Sequence, residues 1–426
     1  MKGRNVVIVG AGVVGVASAA ALALQGHRVT VVDASTGPAE VCSRANAGIL
    51  AVGHASAWAG PSAIGSMLRA IAHREPGVRV TKYADPALWS WGARFLCHCT
   101  ASAHARNTYK LQRLSRMSRE VTRDLAIRLG LDDLVRHEGG LYLFQNEDQF
   151  REHAASVRGG NADLHGGMVV LDRASLIERE PALALAADKL AGGIYSPIDS
   201  VGDCHQFTCQ AAEVLARDHA VTFRFDTRVT GFTRHGGTIT GVETDQGEVK
   251  ADAVVLATGV ETSNLTRALG FAPHIYPVKG YSGTWTILDP SRIPRLPFVD
   301  ETELLAVARY DGRLRVTAFA EFAGSHDLSL PEARLDALRD YVARLFGKAV
   351  DPDSAQFWTG QRPSTPAGPP YLGRVRKCDN LWINAGHGQL GWTMAAGCGA
   401  LIAQALTNGA TELQEVSSTA SWLDPI

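Results

Sequence analysis

Val6-Val7-Ile8-Val9-Gly10-Ala11-Gly12-Val13-Val14-Gly15 opens the chain with a β-branched run that breaks into a G-x-G-x-x-G spacing. Val6–Val9 predicts a buried strand, the Ala-rich stretch Val13–Gln25 a helix, Gly26 its stop, and Arg28–Val32 a second strand. The first glycine permits a tight turn, the second lets backbone approach a pyrophosphate, and the third lets helix pack on strand. The start of the helix, at Val13 and Val14, offers unpaired N–H groups and a positive dipole end to phosphate. Asp33, followed by Ala34, ends the second strand where a carboxylate accepts hydrogen bonds from ribose hydroxyls. The glycine pattern alone is weak; with strand, helix and acid in register it specifies dinucleotide binding.

The rest of the chain is compatible with that start. Its 426 residues suit two domains, and 46% hydrophobic with 20% charged residues is ordinary globular composition. A formal net charge of -1 gives no global basic field, so nucleic acid is not an expected partner. The seven cysteines are odd in number and scattered, which suits a reducing compartment better than a disulfide framework. Cys97-His98-Cys99 with nearby His104 is the only hint of metal, and no second pair answers it; buried helix thiols are the better reading and no metal is expected. The apolar run from Val6 leads into the glycine motif, which an export cleavage would destroy, so neither a signal peptide nor a membrane span is read there.

Farther along, Ser43–Gly65 is too irregular for one element. Trp89–Leu129 fits helices with Arg106, Lys110, Arg113, Arg116 and Arg119 on a solvated face. Gly140–Phe144 reads as a strand, Val201–Asp218 as a helix, and Val221–Phe225, Thr238–Gly247 and Glu248–Ala257 as strands. Pro273–Leu314 is strand-like, Arg315–Ala320 is a strand, and Pro331–Phe346 is an amphipathic helix. Gly360–Gly373 reads as a proline-rich loop, Asn380–Asn384 as a strand, and Thr393–Leu406 as a helix.

Between that last strand and helix lies Asn384-Ala385-Gly386-His387-Gly388-Gln389-Leu390-Gly391-Trp392-Thr393. A second glycine-rich helix start, at the opposite end of the chain, favours a flavin over a nicotinamide. Its dipole suits the negative charge that develops near N1 and O2 of the ring.

These blocks, together with Ser43-Arg44-Ala45-Asn46-Ala47-Gly48, Gly202–Thr208, Tyr276–Ser282 and Phe357–Pro363, resemble the D-amino-acid dehydrogenases of the FAD-dependent D-amino-acid oxidase superfamily, nearly end to end. The resemblance implies an α/β fold. A Rossmann-like FAD domain would be assembled from 1–80, 200–272 and 355–426, and an α+β substrate domain with an antiparallel sheet from 81–199 and 273–354.

It implies that Gly10, Gly12, Gly15 and Asp33 hold the ADP half of FAD. Ser43, Asn46, Ala47 and Gly48 would lie along the pyrophosphate and ribityl chain, with Val229 at adenine. Thr258 and Gly259 would lie beneath the cofactor, and Gly388, Leu390, Gly391, Trp392 and Thr393 near the isoalloxazine. Arg362 would anchor the substrate carboxylate, since a planar guanidinium makes two parallel hydrogen bonds to it. Tyr281 would assist, and His54, Lys279 and His387 would line the pocket.

The implied reaction is oxidative deamination of a D-amino acid to a 2-oxo acid and ammonia, by hydride transfer from Cα to flavin N5. Electrons would pass to a quinone or other electron-transfer partner. The implied location is cytoplasmic, with at most peripheral contact to the inner face of the membrane.

Three features depart from the family. Val316–Glu321 replaces a stretch usually holding two glycines and a methionine, Ala367 replaces a common aspartate, and His54 a common tyrosine. D-alanine is therefore not assured as the preferred substrate. Cyclic imino acids such as D-proline or hydroxy-D-proline, and a role as the flavin subunit of a larger dehydrogenase, remain alternatives. A flavin monooxygenase is disfavoured by the absence of a second nicotinamide-type motif.

Overall fold

A computed structural model of the chain describes residues 3–72, 77–159, 166–325 and 327–408. Asn5–Val9 runs through a six-stranded sheet in the order Thr222–Arg224, Arg28–Val32, Asn5–Val9, Ala253–Leu256, Leu381–Ala385, Tyr371–Arg374. All neighbours are parallel except the last pair. Parallel strands are covered on both faces, which explains the unbroken apolar run at the N-terminus. Val6 and Ile8 pack on the helices Val13–Leu24, Ala101–Leu129, Cys204–Asp218 and Gly391–Asn408. Val7 and Val9 pack instead on a three-stranded antiparallel sheet, Val229–His235, Thr238–Thr244 and Gly247–Lys250. Each such buried side chain contributes about 1.5–3 kcal/mol.

Two close approaches need glycine. A Cβ on Gly15 would stand 1.8 Å from the Gly10 carbonyl oxygen, so the helix could not seat on its strand. A Cβ on Gly399 would stand 2.9 Å from the Ala17 oxygen, so the first and last helices touch backbone to backbone. Small residues thus bring the two ends of the chain together. The helix Gly388–Asn408 is long and apolar enough to cross a membrane by composition, yet 78% of its apolar window is buried inside the fold as a core element.

A second, nine-stranded sheet faces the first domain. Its path runs Gln356–Ser364, Tyr276–Thr286, Arg313–Phe322, Leu305–Tyr310, Phe298–Asp300, Gly140–Phe144, Gly192–Ser196, Val169–Asp172, with Val78–Val80 paired to Arg313–Phe322. One face packs on the helix Glu332–Leu345.

Several elements depart from the sequence-based expectation. Gly360–Gly373 is not a loop: Pro363 lies in the edge strand Gln356–Ser364, where a missing N–H is tolerated, and Tyr371–Arg374 is a strand. Ser200–Gly202 is a strand, and the following helix starts only at Cys204, capped by Asp203, whose side chain accepts from the His205 and Gln206 amides. Arg113, Arg116 and Arg119 are half-buried rather than fully solvated. Three elements also cross the expected domain boundaries, the first being Val78–Val80, which pairs with the substrate sheet. Gln356–Ser364 joins the substrate sheet, and Ala101–Leu129 packs with the helices of the nucleotide half.

Candidate functional site

Between the two large sheets lies a cavity of about 1550 Å³. From the N-terminal end its wall holds Gly10, Gly12, Val13, Val14, Asp33 and Ala34, and from the following loop Ser43, Asn46 and Ala47. Val229, Thr258 and Gly259 come from mid-chain; Gly388, Leu390, Gly391 and Trp392 come from the C-terminal turn. Sequence-distant segments therefore converge as the motifs anticipate.

Three of the expected residues stand behind the wall rather than in it. Gly15 seats the first helix, Gly48 packs under Tyr310 at φ 68°, and buried Thr393 accepts the Ala51 amide through Oγ1 at 3.1 Å.

The wall fits FAD. The first helix has Gly12 as its N-cap and no side-chain cap, so its first-turn donors are not all taken up by the protein. Ser43 Oγ accepts from the Val13 amide at 3.1 Å, fixing the loop along the turn. The Asp33 carboxylate is braced at the end of its strand by the Ala11 amide at 2.6 Å and the Ser35 amide at 2.7 Å. Deeper in, buried His387 Nε2, Trp392 Nε1, Trp358 Nε1 and Ser282 Oγ have no hydrogen-bond partner among the described residues. Burial lowers the His387 imidazole to about 3, so it meets the cavity as a neutral group.

The floor on the opposite side is one face of the antiparallel sheet. Registered partners share a face, so Ser282, Thr317, Ala306, Val299 and Tyr142 form one row across it. Gly280 lies two residues from Ser282 on the same face, and a Cβ there would meet the Arg362 guanidinium at 2.6 Å. Arg362 is half-buried, donates from Nη1 to the Phe319 carbonyl at 2.7 Å, and has no carboxylate partner among the described residues. Burial lowers its pKa, with the nearby Cys42 opposing.

The Phe319 carbonyl is aimed by a β-bulge: Lys279 pairs with Glu321 but Tyr281 with Ala318, and Phe319 has φ 69°. A left-handed, non-glycine bulge residue costs about 1–3 kcal/mol. Its ring packs edge-on against Tyr281 and under the Arg334 guanidinium, so much of the added bulk is taken up by the core.

Two expected residues are not brought to Arg362. Tyr281 belongs to the opposite face of its strand; its ring lies in the core with the helix Glu332–Leu345, and its hydroxyl donates to Glu321 Oε2 at 2.5 Å. Lys279 does not line the cavity, because its ammonium is committed to Asp327 at 2.9 Å and Ser329 at 3.1 Å.

His54 does line the cavity, stacked on Tyr142 at 4.8 Å and 2.9 Å from Glu301 Oε1. Burial alone lowers His54, but the Glu301 and Asp199 carboxylates outweigh it and the net displacement is upward. Sequence reasoning missed Glu301, Asp199 and Tyr142, which carry no local motif and meet around His54 only in the fold, and gave no role to Trp358 within the Phe357–Pro363 block, although it lines the cavity.

Of the two thiols expected to be buried, Cys99 is buried and Cys97 is exposed. Both thiols donate to helix carbonyls, Cys97 to Ala93 and Cys99 to Phe95. Among the described residues no group of three or more His, Cys, Asp or Glu is placed to hold a metal.

The comparisons agree with this geometry. The family model of the DAO family, FAD dependent oxidoreductase, matches residues 5–405. A D-amino acid dehydrogenase from Cereibacter sphaeroides is 40% identical over 96% of this chain and 93% of its own length. One from Vibrio cholerae is 38% identical over 97% of each chain. Among solved structures, glycine oxidase from Geobacillus kaustophilus superposes with a TM-score of 0.71 at 23% identity, covering 95% of both chains. L-proline dehydrogenase from P. horikoshii gives 0.71 at 18% identity, covering 97% of this chain and 95% of its own. The chain belongs to the DAO family of FAD-dependent oxidoreductases.

Proposed function

We propose that this chain deaminates D-amino acids oxidatively, taking the substrate between the FAD cradle and the sheet floor. The observation that carries this reading is Arg362, a half-buried guanidinium with no carboxylate partner among the described residues, facing the cofactor cavity. A cation drawn partly out of water favours an anion beside it, and the α-carboxylate supplies one with two parallel hydrogen bonds. The D configuration and the dehydrogenase type rest on the names of the curated relatives.

FAD supplies the hydride acceptor for Cα–H, and the resulting imino acid hydrolyses in water to a 2-oxo acid and ammonia. The protein holds the carboxylate, and so orients Cα, through Arg362. Neutral His387 adds a buried polar contact that carries no charge to repel the substrate amine. Neither residue acts as a nucleophile.

The acceptor we propose is a quinone, reached by peripheral contact with the cytoplasmic face of a membrane. Support comes from the apolar rim, where Leu68, Trp89 and Leu96 are exposed beside cavity-lining Met67 and Ile71.

The test is anaerobic addition of D- and L-amino acids, including D-proline, to purified protein while following the flavin absorbance near 450 nm (roughly where flavins absorb). Bleaching by D-amino acids and not by L-amino acids is expected; no bleaching by any D-amino acid overturns the reading. Turnover with a soluble quinone exceeding turnover with oxygen supports the acceptor, and the reverse removes it.

A further inference from the structure

The cavity floor carries a second charged group that carboxylate binding does not use. Val299 belongs to the floor row, and Glu301 follows two residues on, just past the strand end. Both line the cavity, as does His54, whose Nε2 is 2.9 Å from Glu301 Oε1. Behind His54, Tyr142 donates to Asp199, and Asp199 also accepts the Gly53 amide at 2.7 Å. The corner therefore sets one buried and one half-buried carboxylate against one imidazole. Turn hydrogen bonds hold it: the Thr302 and Glu303 amides donate to Asp300 at 3.0 Å each.

Its position relative to Arg362 follows from the sheet. The Arg362 guanidinium lies over Gly280, and from that strand to the one ending at Asp300 there are three strand steps. At about 4.8 Å per step this is about 14 Å of backbone separation. Subtracting a hydrogen-bonded contact of about 3 Å at each end leaves about 8 Å, the span from the carboxylate to the terminal nitrogen of an extended lysine-length chain. Ser282, with its buried unpartnered hydroxyl, and Thr317 and Ala306 floor the gap.

We propose that Glu301, oriented by His54, forms a subsite for the cationic end of a substrate side chain, so that the enzyme selects D-amino acids ending in an ammonium or guanidinium. This rests on the D-amino-acid reading above. Arg362 takes the carboxylate at one end of the floor and Glu301 the side-chain cation at the other.

The experiment compares kcat/KM for D-lysine, D-arginine, D-norleucine and D-glutamate with an artificial acceptor, in the wild type and in Glu301→Gln. In the wild type D-lysine exceeds its apolar analogue D-norleucine by about tenfold or more, as expected for a desolvated charge contact. In Glu301→Gln the same ratio, taken within that protein, collapses toward one. A wild-type preference for D-norleucine or D-glutamate, or an unchanged ratio in the variant, overturns the proposal. If the variant does not fold, the wild-type ratios alone decide. Bleaching by D-norleucine as readily as by D-lysine, or by neither while another D-amino acid bleaches, removes this subsite and leaves the D-amino-acid reading intact; bleaching by no D-amino acid removes both.

Discussion

The two walls of the cavity are built in different materials. The nucleotide wall is mostly backbone: glycine turns, helix starts and amides, with Asp33 and Ser43 as braces. The floor is mostly side chains on antiparallel strands: Arg362, Ser282, Thr317 and Glu301. A backbone wall tolerates little change at its glycines and is indifferent elsewhere. A side-chain floor can be rewritten one residue at a time while the fold stands. The family match spans both walls, and substrate choice rests on the second.

The harshest way to break this contrast is Gly15→Val. Its Cβ would meet the Gly10 carbonyl oxygen at 1.8 Å, a backbone atom with no flexible end to yield. We expect a loss above about 4 kcal/mol, beyond ordinary substitutions. It would be read as colourless or insoluble protein; a yellow, normally melting variant would show that the helix start is not so constrained.

Next comes Arg362→Ala. The floor should lose substrate handling while the nucleotide wall keeps its flavin. A drop in kcat/KM of about 2–5 kcal/mol, roughly 30- to 4,000-fold, is expected with flavin content unchanged. Loss of flavin together with activity would mean the walls are not separable.

His387 belongs to the nucleotide wall yet faces the floor, and it gives a pH signature. Its folded pKa is lowered by burial to about 3 from the ordinary 6.5. In that window the unfolded chain binds a proton that the folded one does not, so stability falls as pH drops from 6.5 toward 3. The limiting slope is about 1.4 kcal/mol per pH unit. Urea midpoints measured across that range should decline less steeply in His387→Asn; parallel declines would show that the imidazole titrates in the fold.

The smallest effect sharpens the contrast from the other side. Gly37 lies between the nucleotide strand and the Ser43 loop, but a Cβ there meets nothing within 4 Å. Gly37→Ala should change stability by less than about 0.5 kcal/mol and leave flavin content alone, as shown by thermal melts and absorbance. A large loss would mean that glycines in this half matter for reasons other than close approach.

The same contrast decides what the sequence makes legible. Gly10, Gly12 and Gly15 between two apolar strands announce a phosphate-binding turn, because a Cβ at Gly10 or Gly15 would strike backbone and Gly12 lets backbone approach a pyrophosphate. The glycines from Gly386 to Gly391 do the same for the far terminus. The floor has no such signature. Pro363 made an edge strand look like a loop, and the alternation that turns Tyr281 and Lys279 away from Arg362 emerges only from strand register. Phe319 occupies a left-handed bulge position that its sequence does not announce, while Glu301 meets His54 across a long stretch of chain. Arg362 was accessible because the resemblance, and not spacing, pointed to it.

The central claim is that an anion held by Arg362 sits against the flavin. Benzoate, a carboxylate with no oxidisable amine, tests it by titration of the flavin absorbance in the wild type and in Arg362→Ala. The account predicts a saturable spectral shift in the wild type and a dissociation constant at least about 30-fold weaker in the variant. Equal constants in the two proteins, or no perturbation of the flavin in either, would contradict it.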